Sequence, residues 1–244
     1  MIRNLLFSLV FISLPSLAFQ TIHLGTQDRP PYTWPQDGKP AGPFDNVVVC
    51  ALESMGVEYS IDFLPWARAQ SMTQRGQLDG FYAGSQNAER DSYATASRFI
   101  GKQNWAYFYL ADVINQPIDD EYLKNARVGA YLGSNMAQWL KAKGVKVAYR
   151  PVEPEMLLEG LIRDRADIIL ANEAAMLKLT EKTNRSAYID RQVVVSKPIA
   201  VYFGNTYLNE NPGFINAFNQ AASQCLPEES LVIYSEYQGT RVNS

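Results

Sequence analysis

The apolar residues of this chain switch period repeatedly along its length. Short runs or alternation give way to spacings of three and four, and then return. Residues 21–25, with Ile22 and Leu24 pointing one way, read as a strand. The loop that follows, DRPPYTWPQDGKPAGP, holds five prolines between positions 30 and 43, too many for a helix or a central strand. Phe44, Val47, Val48, Ala51, Leu52 and Met55 then recur at helical spacing until Gly56 ends the helix. Residues 59–64 alternate as a second strand. Trp66 opens a helix that Gly76 closes, and Leu78, Phe81, Tyr82 and Ala83 mark a third strand. This βαβαβ order predicts a parallel or mixed sheet.

A similar set begins near Arg127. Residues 127–133 read as strand and turn, 134–143 as a helix closed by Gly144, and 145–149 as a strand. A helix over 156–164 carries Leu157, Leu158, Leu161 and Ile162, ADIILA at 166–171 is a buried strand, and 172–180 is helical. Strands at 193–195 and 199–203 lead back toward the first set, and helices at 212–225 and 228–237 close the chain. The prediction is an α/β protein of two lobes, the first interrupted by the second. Crossings are expected near Tyr107–Val113 and Ser196–Tyr202, which assigns 19–109 and 200–244 to lobe one and 110–199 to lobe two.

The N-terminus carries a separate message. Arg3 precedes a mostly apolar run, Leu5–Leu17, and Ser16-Leu17-Ala18 has the small-x-small form of a cleavage site. Residues 1–18 therefore read as a signal peptide, too short for a comfortable membrane span, and the mature chain is expected to be exported. About 226 residues (244 minus 18) remain, enough for one large or two small domains. A net charge of −3 argues against a nucleic-acid or anionic-membrane surface. Cys50 and Cys225 are the two cysteines. In an oxidising compartment two thiols more often pair than bind metal, so a Cys50–Cys225 disulfide is expected, with two buried free thiols as the alternative. No metal site or cofactor is expected.

The stretch GQLDGFYAGSQNAER, Gly76 to Arg90, carries the most chemistry. It resembles the ligand motif of the bacterial extracytoplasmic solute-binding proteins of family 3, which bind amino acids and related polar solutes. Gly76, Asp79, Ser85 and Arg90 fall on motif positions, and Asn87 stands where that family usually has Thr. The resemblance implies a type II periplasmic-binding fold with a two-segment hinge, a ligand between the lobes, and a carboxylate gripped by Arg90. A guanidinium fork suits that task through paired, charge-assisted hydrogen bonds.

Further positions follow from the same resemblance. PPYTW offers Tyr32 and Trp34 as aromatic covers, and LPWARA offers Trp66 and Arg68, unless one or more of these rings, Trp66 among them, simply pack in the lobe cores. The GSN turn supplies Ser134 and Asn135 at a helix start, as an anion cradle, a helix cap, or both. Where amino-acid binders carry an ammonium-binding Asp, this chain has Asn172, followed by Glu173. Either Glu173 or another acid takes over that charge, or the ligand is not an ordinary α-amino acid. The expected function is a monomeric periplasmic receptor, not an enzyme, that hands a small carboxylate-bearing solute to an ABC-type permease. A stand-alone sensory protein and a dehydratase-like enzyme on the same scaffold are the alternatives.

Overall fold

A computed structural model of the chain describes residues 21–227. The expected signal peptide and the expected helix at 228–237 lie outside the described residues. In chain order the strands are β1 (Ile22–Thr26), β2 (Pro35–Gln36), β3 (Lys39–Pro40), β4 (Tyr59–Phe63), β5 (Gly80–Gly84), β6 (Ala94–Leu110), β7 (Val128–Ala130), β8 (Val147–Tyr149), β9 (Ile168–Asn172) and β10 (Ile189–Gly204). The helices are α1 (Pro43–Ser54), α2 (Trp66–Gln74), α3 (Ala88–Asp91), α4 (Asp120–Asn125), α5 (Asn135–Ala142), α6 (Pro154–Ile162), α7 (Glu173–Lys182), α8 (Asn205–Glu210) and α9 (Phe214–Cys225).

One mixed sheet runs through the molecule in the order β4-β1-β5-β10-β6-β9-β7-β8, and β2 with β3 forms a small separate hairpin. β1 lies parallel to β4 and β5, and β7 parallel to β8 and β9. The two long central strands are antiparallel to each other from Ile189↔Leu110 to Gly204↔Ala94. β10 joins the first half by pairing Ala200–Phe203 with β5, and β6 joins the second by pairing Trp105–Phe108 with β9. These two strands are the connections between the lobes.

Each half is covered on both faces. In the first, α1 and α9 bury Val48, Leu52, Phe214 and Phe218 against Phe203, and α2 packs Trp66 and Ala69 on Phe81 and Tyr202. In the second, α5 packs Met136 and Leu140 on Trp105, Tyr107 and Leu170, while α6 and α7 pack Leu157, Leu161 and Met176 on Ala106, Phe108 and Ile169. Trp105 and Tyr107 thus face one cluster, and Ala106 and Phe108 the other, as the two-residue period of a strand requires. β6 has already entered the second half at Trp105, upstream of the expected 107–113 crossing. Its central residues Arg98, Lys102, Gln103 and Asn104 are polar because the strand passes there from one core to the next. That break in apolar pattern hides a 17-residue strand from periodicity.

Two local features hold the first half together. A Cβ on Gly80 would lie 2.4 Å from the Tyr202 carbonyl oxygen, so only glycine lets β5 approach β10 this closely. Cys50 on α1 and Cys225 at the end of α9 form a disulfide, with Cα atoms 6.0 Å apart and a sequence separation of 175. No helix among the described residues is long and apolar enough to cross a membrane.

Candidate functional site: the interlobe cleft

A cavity of about 210 Å³ lies where the two lobes meet. That is below the ~300–1,000 Å³ typical of clefts for drug-sized ligands, and it limits the occupant to a small solute. Its floor is made by residues of the central strands: Ala83 near the end of β5 and Ser85 just after it, Gln103 and Trp105 within β6, Ala171 and Asn172 at the end of β9. Trp66 at the start of α2, Tyr131, Ser134, Asn135 and Met136 before and within α5, and Arg29 after β1 form the walls.

Arg90 reaches this cavity from α3, a single turn whose N-terminus is capped by Asn87. The Asn87 side chain accepts the Arg90 backbone N–H at 2.8 Å, which fixes the turn and sends the arginine inward. The side chain is only 2% exposed. Its Nε donates to Gln70 Oε1 at 2.8 Å, Nη1 to the Ser85 carbonyl at 2.5 Å, and Nη2 to the Gly133 carbonyl at 3.4 Å. The guanidinium also lies 5.1 Å from the centre of the Trp66 ring. Burial is the main influence on it and pulls its pKa down to about 10. Among the described residues no carboxylate forms an ion pair with it.

Hydrogen bonds cross between the lobes directly above the guanidinium. Gly133 holds a left-handed turn at φ +71°, a conformation that favours glycine. Ser134 then caps α5, accepting the Ala137 N–H at 3.3 Å while its hydroxyl donates to the Tyr131 carbonyl at 2.6 Å. The serine is therefore engaged in its own turn, and Asn135 makes the crossing. Asn135 Nδ2 donates to Ser85 Oγ at 2.7 Å and to the Ser85 and Gln86 carbonyls at 2.9 and 3.0 Å, and its Oδ1 accepts from Asn87. Gln70 adds a bond to the Gly133 carbonyl at 3.2 Å, and Gln138 one to Glu89. The lobes are closed on each other.

Of the residues singled out in the sequence, the structure brings Trp66, Ser85, Arg90, Ser134, Asn135 and Asn172 to the cavity. Trp66 does double service, since its ring also meets Phe81 edge-on at 5.4 Å in the lobe core. Four others stand elsewhere. Tyr32 is buried in the core of the first lobe, stacked on Phe44 at 5.3 Å. Trp34 is half-buried behind the rim, its ring 5.6 Å from Lys178 Nζ. Arg68 is exposed on the outer face of α2. Glu173 turns away from the cavity, accepting from Arg191 Nε at 2.8 Å and Asn104 Nδ2 at 3.0 Å, and these bonds hold its pKa below the usual value.

The sequence reading missed Arg29, Gln103, Trp105 and Tyr131. Arg29 sits beside the prolines of the early loop, its guanidinium 4.3 Å from the Tyr131 ring and its Nη2 bonded to Gln27 at 2.7 Å. Burial lowers its pKa. An arginine flanking a Pro-Pro turn was the available signal. Gln103 and Trp105 lacked one, because β6 was not recognisable there.

Fold and cleft together define the two-lobed architecture of periplasmic binding proteins, with a discontinuous first lobe and two connecting strands. Solved structures share it. Holo ArgBP from T. maritima superposes with a TM-score of 0.71 at 15% identity, covering 89% of this chain and 96% of that one. A histidine kinase sensor domain with similarity to periplasmic binding proteins superposes at 0.74 with 18% identity, covering 92% and 95%. An ancestral arginine-binding protein bound to arginine gives 0.70 at 21% identity, covering 84% and 91%. No protein-family model and no curated protein sequence matches the chain.

Proposed function

We propose that this chain is an exported solute receptor whose two lobes close over one small, polar, carboxylate-bearing solute in the periplasm. The observation that carries this reading is Arg90, a guanidinium buried in an interlobe cavity with neutral acceptors around it and, among the described residues, no carboxylate paired to it. Such a group offers a charge-assisted, two-pronged site to an incoming carboxylate. Ser85 and Asn135 stand beside it and can exchange their mutual hydrogen bonds for bonds to the solute. We place the lobe division near 19–109 with 200–244 against 110–199, moved upstream on β6 to about Gln103.

The cleft is better suited to binding than to catalysis. Among the described residues no histidine or cysteine lines it, and its acids, Asp28 and Glu155, are exposed at the rim. As a monomeric receptor it would deliver the solute to an ABC-type permease; the substrate binding protein of an amino acid ABC transporter has a like fold, at a TM-score of 0.67. The likeness to a kinase sensor domain supports a second reading, a sensory receptor with the same cleft and no transporter. A thermal-shift screen against amino acids, polyamines and small carboxylates tests the shared part of both. A solute at about 100 times its Kd adds nearly 3 kcal/mol to stability. A flat response to every carboxylate would remove the receptor reading.

A further inference from the structure

The cleft pairs cationic walls with a floor of uncharged amides. Gln103 and Asn172 both line the cavity and are only 4% and 6% exposed. β6 and β9 pair with Trp105 opposite Asn172, and Gln103 stands two residues from Trp105 on the same face. Gln103 Nε2 and Asn172 Oδ1 are each buried with no hydrogen-bond partner. One is a donor and the other an acceptor. Leaving buried polar atoms unpaired is costly, so a native floor of this kind calls for a ligand group that both accepts and donates.

Charge narrows the choice. Arg29 and Arg90 both line the cavity, and among the described residues neither has an ion-paired carboxylate. Asp28 and Glu155 share the exposed rim with Lys178 and Lys182, so charges of opposite sign balance there. Glu173, the acid next to Asn172, is committed to Arg191 and Asn104. An ammonium at the floor would be buried near two guanidinium groups without a counter-charge, an arrangement strongly disfavoured in a desolvated site.

We propose that the cleft selects a small carboxylate whose second polar group is uncharged, a hydroxyl or an amide, and rejects the analogue carrying a free α-ammonium. The carboxylate lies on Arg90. The hydroxyl or amide donates to Asn172 Oδ1 and accepts from Gln103 Nε2. This inference rests on the cleft being the solute site proposed above.

Calorimetric titration of the mature chain with matched sets tests it: lactate, N-acetylalanine and alanine, then malate, N-acetylaspartate and aspartate. The best hydroxy or N-acetyl member should bind at least about tenfold tighter than its amino counterpart, which is about 1.4 kcal/mol. Asn172→Asp places an anion on the floor and should reverse the order. Gln103→Glu makes the same change from β6 if the first variant does not fold. Tighter binding of an amino member to the wild type overturns the proposal and leaves the receptor reading standing. Any other carboxylate found in the broad screen is judged the same way: a free ammonium overturns the proposal, its absence supports it. Binding of no carboxylate at all overturns both.

Discussion

Replacing Arg90 by alanine should leave the unliganded protein almost as stable as before while removing its response to solute. Two opposing effects set the first half of that statement. The side chain is 2% exposed and donates to Gln70, Ser85 and Gly133, so its loss empties buried volume and breaks three hydrogen bonds. Such truncations cost about 2–4 kcal/mol. The charge, however, is held against its preference. A pKa lowered from 12.5 to about 10 by burial means that the protonated group destabilises the native state at neutral pH. At 1.36 kcal/mol per pKa unit that penalty is roughly 3 kcal/mol, and alanine relieves it. The difference should be within about 1 kcal/mol, or some 2–4 °C in Tm for a chain of this size. The second half follows from the lost fork. Where the wild type gains about 2.7 kcal/mol at 100 times Kd, the variant should gain nothing measurable. Arg90→Lys should respond weakly at best, since an ammonium cannot reproduce the planar pair of donors. Differential scanning fluorimetry with and without a solute identified on the wild type reads both halves. An Arg90→Ala variant with a normal ligand-induced shift would refute the assignment, and a collapse of the unliganded protein would refute the balance.

Three further outcomes are expected. Reducing the Cys50–Cys225 bridge, or replacing both residues by serine, frees a loop of 175 residues. The chain-entropy argument sets the loss at up to about 5 kcal/mol, read as a lower urea midpoint. An unchanged midpoint would show that the bridge adds nothing. Asp45 is wholly buried, accepts from the Tyr82 hydroxyl at 2.5 Å, and is pushed by burial from 3.8 to about 6. The native state therefore holds an extra proton between about pH 4 and 6. Stability should fall as pH rises through that window, by an amount on the order of 2–3 kcal/mol, and level off above it. Asp45→Asn should flatten the profile, and an identical slope in the variant would exclude Asp45 as its source. Asn135→Ala cuts the amide that bonds Ser85 and Gln86 across the lobes. Small-angle scattering should show a larger radius of gyration for the unliganded variant than for the wild type; equal radii would mean that other contacts suffice to hold the cleft closed.

How far the sequence reached depends on whether a residue's role was local. Ser134 and Arg90 were readable because a cap and a short turn fix their direction within a few positions. α1 was readable because its stripe from Phe44 to Leu52 meets a single core. Tyr32 and Trp34, which do not line the cavity, were ambiguous for the opposite reason. An aromatic ring in a proline-rich loop can cover a ligand or fill a core, and only Phe44, twelve residues from Tyr32, decides the matter. Glu173 is adjacent to a site residue in sequence, but the helix it starts turns its carboxylate toward Arg191. β6 evaded periodicity because its polar middle lies between two cores. Gln103 and Trp105, on that middle stretch, became visible only with the register of β6 against β9 and β10.

The position of β10 has a consequence for the order in which the chain can be completed. It lies between β5 and β6, yet both of those strands precede it by a hundred residues or so. A chain emerging N-terminus first presents β5 and β6 before β10, each with a row of backbone donors and acceptors awaiting a partner that has not emerged. Open sheet edges of this kind recruit neighbouring chains. The second lobe, by contrast, can assemble β7, β8 and β9 from one contiguous stretch while β10 is still to come. The fold's most vulnerable moment is therefore late in its assembly, and it closes only when β10 zips into the gap and α9 brings Cys225 alongside Cys50.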